Sequence, residues 1–323
     1  MYKVPVGVLG ASGYAGRELC GLIAQHPGLQ LAFASANEQR GQRVRIGSSE
    51  VTYVAADDAP LSKAEVVFTA LPHGAAATWV GNARATGARV VDLSSDFRPG
   101  AATGASAFTT PYGLTELMRA TIPGAEIVAN PGCYPTAVLI AIAPLITEGW
   151  IVPGATINVS AASGVTGAGY SPRPDLLFAE VAEDFRAYAV GNEHRHLAEM
   201  RAVIAKLGGD NDILFTPHLL PVARGILATI TVPVKEYVEN PAALWRDSYD
   251  GEPFIEIADQ PPSLKDVVRR NVVRLSVAKA ANMRQPTLII IAAIDNLVKG
   301  AAGQALQNAN VLLGLEEQTG LPA

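Results

Sequence analysis

The sequence predicts an α/β protein in two parts: a doubly wound parallel sheet, then an α+β domain built on a mixed sheet. Three observations carry this. The N-terminal part alternates short, branched-apolar runs with helix-length intervals. A glycine-rich turn separates the first such run from the first helical pattern. Beyond about residue 150, strand-like runs follow one another with fewer helices between them.

Residues 4–9 are apolar without alternation, the profile of a parallel strand buried on both faces. Gly10-Ala11-Ser12-Gly13-Tyr14-Ala15-Gly16 ends it, and Leu19, Leu22 and Ile23 then share a helical face up to His26-Pro27-Gly28. Residues 29–35, 65–71, 89–93 and 126–129 repeat the strand signal, with a helix-length interval at 75–85. In the second part, 155–161, 213–216, 225–234, 254–257, 272–278 and 288–294 read as strands. Residues 299–314 place Ala302, Ala305, Leu306, Ala309, Leu312 and Leu313 at helical spacing, which predicts an amphipathic helix.

Composition excludes several classes. The 323 residues carry a net charge of −5 and only 17% charged side chains, so there is no basic patch for nucleic acid. The most apolar stretches, 137–146 and 288–294, are shorter than the roughly 18–20 residues of a membrane-spanning helix. The N-terminus runs straight into the glycine turn, without the apolar region and cleavage site of a secretory signal. Cys20 and Cys133 cannot form a disulfide framework, so a reducing cytoplasm is expected. In so sparsely charged a chain, clusters of His, Arg and Cys stand out.

Gly10, Gly13 and Gly16 recur every third residue between a strand and a helix. Glycine there lets backbone approach a pyrophosphate, whose charge the helix N-terminus favours. A dinucleotide would therefore meet Gly10, Ser12, Gly13, Tyr14, Ala15 and Gly16; a tight turn with close helix packing is the plainer alternative. At the end of the second strand, Ser35 can hydrogen-bond a 2′-phosphate and Arg40 can supply charge, which points to NADP; Glu38 remains a ribose partner for NAD. Pro72 and His73, at another strand's carboxyl end, fall where such sheets bind ligands.

Asn130-Pro131-Gly132-Cys133-Tyr134-Pro135-Thr136 is the most informative heptad. Pro135 suits a first helical turn, so Cys133 sits at or just before a helix start, where the dipole favours a thiolate. That reads as a nucleophile, with a buried structural cysteine as the alternative. Cys20, beside Leu19 and Leu22, reads as packing.

A thiolate nucleophile wants an imidazole nearby, and Glu193-His194-Arg195-His196-Leu197-Ala198-Glu199 offers two. On a helix, His196 and Glu199 would share a face, letting the carboxylate orient the ring; a solvated polar turn is the alternative. No third ligand has zinc spacing, so no metal is expected. His26 reads as a helix-end cap, and His218 as structural. Arg98, Arg195 and Arg224 could each fork a carboxylate or phosphate, or be surface ion-pair partners.

With these residues assembled, the chain resembles the NADP-dependent N-acetyl-γ-glutamyl-phosphate reductases of arginine biosynthesis, relatives of aspartate-semialdehyde dehydrogenase. The strongest match is Val128-Ala129-Asn130-Pro131-Gly132-Cys133-Tyr134-Pro135-Thr136-Ala137. Also similar are the turn at 10–16, Leu71-Pro72-His73-Gly74, Asp92-Leu93-Ser94-Ser95-Asp96-Phe97-Arg98, residues 162–169, His194-Arg195-His196 and Asp295-Asn296-Leu297-Val298-Lys299-Gly300. The resemblance implies a Rossmann-type dinucleotide-binding domain over 1–133, to which the helix at 299–323 returns, and a catalytic and oligomerisation domain over 134–298. It puts Ser163, Gly164 and Asn296 by the cofactor, Asn130, Arg98 and Arg195 at the substrate, and implies a homodimer or homotetramer. It implies capture of a small-molecule acyl phosphate as a thioester on Cys133, followed by reduction with NADPH, with His196 as acid and base and His194 as the alternative.

Three positions depart from the pattern: a short, small-residue-rich 99–110 segment, Tyr170 after Gly169, and Leu197-Ala198 before Glu199. The rival enzyme reading is the reductase of a carrier-bound aminoadipyl phosphate in lysine biosynthesis. The rival from another class is a non-catalytic NADP-binding sensor, which would need none of Cys133, His196 and Glu199.

Overall fold

The computed structural model describes residues 2–46, 49–101, 110–237 and 239–323. Most of the 99–110 segment therefore lies outside the described residues. The chain divides into two compact units, 1–132 with 301–322, and 133–300. Backbone passes between them at Gly132-Cys133 and Gly300-Ala301.

In the first unit, β1 (Val4–Leu9), α1 (Tyr14–Gln25) and β2 (Leu29–Ala34) follow the opening pattern closely. A hairpin, β3 (Arg43–Ile46) and β4 (Ser49–Thr52), comes next; its first strand alternates exposed Arg43 and Arg45 with half-buried Val44 and with Ile46, which is buried in the core. Then come β5 (Val66–Thr69), α2 (Ala76–Ala85), β6 (Arg89–Asp92), α3 (Thr115–Met118) and β7 (Ile127–Ala129). The main sheet has the order β2-β1-β5-β6-β7, and all its pairs are parallel. Strand order reverses between β1 and β5, which opens a crevice at their carboxyl ends.

The second unit opens with α4 (Cys133–Thr147) and β8 (Ile157–Gly164), then α5 (Phe178–Val181), β9 (Arg186–Ala187) and α6 (His196–Lys206). β10 (Ile213–Leu220), β11 (Ile226–Pro233), α7 (Ala242–Ser248), β12 (Ile255–Ile257), β13 (Val273–Lys279) and β14 (Thr287–Ile294) complete it. Its mixed sheet runs β12-β13-β14-β11-β8-β10-β9, with β8 and β10 parallel and β11 antiparallel to both β8 and β14. α4 packs on one face of this sheet and is buried from Tyr134 to Ile146. The other face alternates outward Asn158, Ser160, Leu214, Thr216, Thr229 and Thr231, which line a shallow groove.

Pro144 lies inside α4 and has no N–H to give the Ile140 carbonyl one turn back. The Tyr249 hydroxyl, just past α7, donates to that carbonyl at 2.6 Å, and Trp245 Nε1 donates to the next one, Ala141 O, at 2.8 Å. Side chains from a neighbouring element thus satisfy backbone that proline leaves open.

A π turn, Val298–Ala302, leads into α8 (Gly303–Leu313) in the first unit. The expectation of an amphipathic helix is corrected here. Its apolar stripe packs in the core, as the spacing predicts, but Gln304, Gln307, Asn308 and Asn310 are all fully buried as well. Their amide N–H groups all have partners, while Gln304 Oε1 has none among the described residues. Gln304 Nε2 donates to Gly113 O at 3.0 Å, Gln307 Nε2 to Glu116 Oε1 at 2.9 Å, and Asn310 Nδ2 to Thr319 O at 2.9 Å. Burying amides costs little only when they are bonded.

Tyr249→Phe removes the hydroxyl serving the Ile140 carbonyl and keeps the ring. Urea unfolding should show a loss of about 2 kcal/mol, the cost of orphaning a buried acceptor.

Candidate active site

Two groups of residues, one in each unit, carry the chemistry-bearing positions. In the first unit, the glycine turn and the Pro72-His73-Gly74 loop follow β1 and β5, the strands flanking the reversal of strand order. Gly10 has φ +80°, and a Cβ there would come within 2.3 Å of Ala70 O; at Gly16 one would meet Gly10 O at 2.3 Å. At Gly13, the N-cap of α1, a Cβ would find its nearest atom at 3.7 Å. Two glycines are thus needed by the protein's own packing, and the third leaves free space at the helix start. No side chain caps α1 and no acid lies in its first turn, so its N–H groups face that space with their positive end of the dipole.

Ser35 was expected at a 2′-phosphate. It is buried, and its hydroxyl accepts the Gly10 N–H at 3.3 Å, which ties the turn to the end of β2. Arg40 is exposed, held by a bond from Nη1 to Asn37 O at 3.1 Å, and Arg43 and Arg45 on β3 are exposed beyond it. His73 is exposed; its Nδ1 accepts the Ser95 N–H at 2.9 Å, which leaves the proton on Nε2. Asp96 accepts from Gly74 N at 2.7 Å and Ala76 N at 3.0 Å, so the loop after β6 caps α2.

Arg98 and Asn130, expected at the substrate, are both buried in the first unit. Arg98 Nε donates to Asn130 O at 2.8 Å and its Nη2 to Leu93 O at 2.7 Å. Asn130 Nδ2 donates to Ala301 O at 3.2 Å, and its Oδ1 accepts from Asn308 Nδ2 at 2.9 Å. Beneath them Asp92 is fully buried, accepting from Thr69 Oγ1 and Ser94 Oγ; burial holds its carboxyl above the usual range against those bonds.

In the second unit, Cys133 is the first residue of α4 and partly exposed. Gly300 packs directly on it: a Cβ at 300 would lie 2.8 Å from the Cys133 Cβ. The π turn that brings Gly300 there is closed by Gly300 N–H to Asp295 O at 2.9 Å. The buried Asp295 carboxylate caps that turn, accepting from Leu297 N at 2.7 Å and Val298 N at 3.1 Å, while Arg224 Nη1 donates to it at 3.4 Å. Asn296, expected at the cofactor, is buried; its Oδ1 accepts the Gly225 N–H at 2.7 Å and its Nδ2 donates to Thr166 Oγ1 at 3.0 Å. It fixes the loop that follows Ser163 and Gly164, at the end of β8.

The two histidines come together. His194 and His196 rings lie 4.8 Å apart between centroids, and Tyr134 meets His194 edge-on at 5.5 Å and His196 at 6.1 Å. His196 opens α6 and is buried, as is Glu199 one turn along the same helix. His194 Nδ1 accepts the His196 N–H at 3.1 Å, so this ring serves the helix start and carries its own proton on Nε2. Burial, with Arg195 beside it, pushes the His194 imidazole down to about 4. Arg195 itself is exposed.

Sequence reasoning missed Tyr188, just beyond β9. Its hydroxyl and that of Tyr134 are 3.1 Å apart, and its ring meets His194 edge-on at 5.7 Å. Burial, the larger cause, and the charge of Cys133 push the Tyr188 phenol up to about 12. A lone tyrosine between unpatterned residues gives no sequence signal. Cys20, by contrast, sits in the first unit's core, where burial pushes its thiol up to about 12.

Residues 5–125 match the family model described as semialdehyde dehydrogenase, NAD binding domain, and 133–296 match semialdehyde dehydrogenase, dimerisation domain. The chain is 40% identical to an N-acetyl-gamma-glutamyl-phosphate reductase of Symbiobacterium thermophilum, over 98% of this chain and 97% of that one. The chain belongs to the N-acetyl-gamma-glutamyl-phosphate reductase family. A reductase of the same name from Neisseria meningitidis is 37% identical over 99% of this chain and 98% of its own length. In fold, the chain is similar to aspartate semialdehyde dehydrogenase II of Vibrio cholerae, with a TM-score of 0.78 at 19% identity over 97% and 99% of the two chains. It is also similar to the Candida albicans aspartate semialdehyde dehydrogenase solved with NADP, with a TM-score of 0.68 at 14% identity over 96% and 98%. No helix among the described residues is long and apolar enough to cross a membrane.

Because the folded imidazole of His194 sits below its usual 6.5, the unfolded chain binds a proton that the folded chain refuses between pH 6.5 and about 4. Stability should fall on acidification through that window and be indifferent to this group above it. Histidine NMR should show His194 neutral at pH 5.5, and His194→Gln should flatten the acid slope of the melting temperature.

Proposed function

We propose that this chain is the reductase that converts N-acetyl-glutamyl 5-phosphate to the 5-semialdehyde and phosphate with NADPH. The observation that carries the reading is Cys133: a partly exposed thiol at the first residue of α4, in the unit that also holds the His194–His196 pair. The N-terminal dipole of that buried helix favours a thiolate at this position.

In the proposed chemistry, the Cys133 thiolate attacks the acyl carbonyl carbon. The bond from that carbon to the phosphate oxygen breaks, phosphate leaves with its electron pair, and a thioester remains. A bound nicotinamide supplies the hydride that takes this thioester to the aldehyde level. His196 takes the thiol proton at the start and returns it to sulfur when the aldehyde departs. His194, held neutral and spent on the helix start, is a positioning residue. Backbone N–H groups at the start of α4 are suited to the oxyanion that forms on the carbonyl.

The first unit is proposed to hold the dinucleotide, with pyrophosphate against the Gly10, Ser12, Gly13, Tyr14, Ala15 and Gly16 turn. The free space at Gly13 and the uncapped N-terminus of α1 fit that group. Arg40 is proposed to select the 2′-phosphate of NADP, aided by the exposed Arg43 and Arg45. Exposed Arg195 is the proposed substrate anion partner; Arg98 and Asn130 act by holding backbone. The second unit is proposed to pair with a second copy through the open face of its sheet, where Leu214 stands exposed among polar neighbours. Two free cysteines fit a reducing cytoplasm.

The test is phosphate-dependent reduction of NADP and of NAD, with N-acetylglutamate semialdehyde and with its aminoadipate analogue. Turnover is expected with the glutamate compound and NADP. Cys133→Ser should lose at least about a thousandfold in rate with NADPH binding unchanged; near-normal turnover in that variant would sink the covalent scheme.

A further inference from the structure

Asn308, in the last helix of the chain, has no place in the chemistry above, yet it sits at the centre of a buried polar network that ends three residues before the thiol. Its Nδ2 donates to Asn130 Oδ1 at 2.9 Å and to Gly113 O at 2.8 Å, and its Oδ1 accepts from Thr115 Oγ1 at 2.8 Å. Thr115 in turn accepts from Gln304 Nε2 at 2.8 Å. Asn308, Asn130, Thr115 and Gln304 are fully buried, so no water can substitute for a lost bond cheaply.

Asn130 is held from every side. Its N–H donates to Asp92 O at 2.8 Å, its carbonyl accepts from Arg98 Nε, and its Nδ2 reaches Ala301 O. Only Pro131 and Gly132 separate it from Cys133, and Ala301 directly follows Gly300, the residue packed on the Cys133 Cβ. Of Asn130's side-chain bonds, the one from Asn308 decides which way the amide faces. It requires Oδ1 toward α8, and this turns Nδ2 toward Ala301.

We propose that Asn308 is a positioning residue for Cys133: by fixing the amide of Asn130, it sets the backbone on both chain segments that adjoin the thiol. The inference rests on Cys133 being the reactive thiol. A loosened Asn130 lets the start of α4 drift, which weakens the alignment of the thiolate with the helix dipole and misplaces its sulfur. Misplacement by about 1 Å costs on the order of a hundredfold in rate.

The test uses Asn308→Asp, which keeps the shape but turns the donor facing Asn130 Oδ1 and Gly113 O into an acceptor. A second variant, Thr115→Val, removes the hydroxyl that orients Asn308 and adds no charge, so it reports even if the first fails to fold. Each variant is alkylated with iodoacetamide, without substrate or cofactor, across pH 5.5–9.5, with Cys133→Ser as the background for Cys20. Expected is a higher apparent thiol pKa and at least about tenfold slower alkylation at pH 7 in a folded variant, with a matching fall in kcat and KM for NADP within about twofold. Folded variants with the parent alkylation profile and kcat would overturn the proposal. So would a loss of activity confined to a raised KM for NADP with kcat unchanged. Because alkylation reads the thiol directly, it judges the positioning role even if Cys133→Ser proves active and the covalent reading fails.

Discussion

Asn130 is a fully buried residue whose N–H, carbonyl, Oδ1 and Nδ2 all have partners: Asp92, Arg98, Asn308 and Ala301. Those partners lie far apart in the chain, from the end of β6 to the last helix. Each bond is worth about 1 kcal/mol when made, and each orphaned group costs about 1–3 kcal/mol when it is not. The arrangement is therefore close to all-or-none, which suits a segment that must present the same geometry at every encounter. The heptad that looks like a nucleophile's surroundings begins on this residue, and the buried helix α8 reaches it through Asn308. A helix offering Asn308 to solvent would leave Asn130 Oδ1 without its partner.

The second unit shows the same economy at the thiol itself. Gly300 allows backbone against the Cys133 Cβ, and Asp295 fixes the π turn that delivers it. π turns are rare and are found frequently at functional sites. The imidazole of His194 is kept neutral by burial beside Tyr134, Tyr188 and Phe215, and its Nδ1 is spent on the start of α6. In the proposed chemistry that division gives proton transfer to His196 and support to His194, a choice the His-Arg-His triplet alone leaves open.

Much of the fold was legible because it is written in local pattern. The strand at Val4–Leu9 and the helix end at His26 follow from continuous apolar runs and a Pro-Gly stop, and the Gly10–Gly16 spacing announces its turn. The β3–β4 hairpin was not legible, since Val44 and Ile46 alternate with Arg43 and Arg45 over only four residues, the shortest run in which alternation signals a strand. The polar side of α8 misled because amphipathic spacing says which residues are polar and not whether water or another amide faces them. Ser35, Asn130 and Asn296 have polar side chains beside the motifs, and they turned out to hold backbone. Their partners, Gly10, Asn308 and Gly225, are contacts set by topology, which composition and spacing do not encode. Tyr188 escaped for the same reason.

The measurement that bears most directly on the role of Cys133 is a single turnover run backwards without its acceptor. N-acetylglutamate semialdehyde and NADP are mixed with the protein in the absence of phosphate, and NADPH absorbance and intact mass are followed together. Expected is a burst of about one NADPH per chain, with one acyl group on the peptide that contains Cys133, discharged when phosphate is added. A preparation that turns over with phosphate yet shows neither burst nor acyl group on that peptide would contradict the thioester on Cys133.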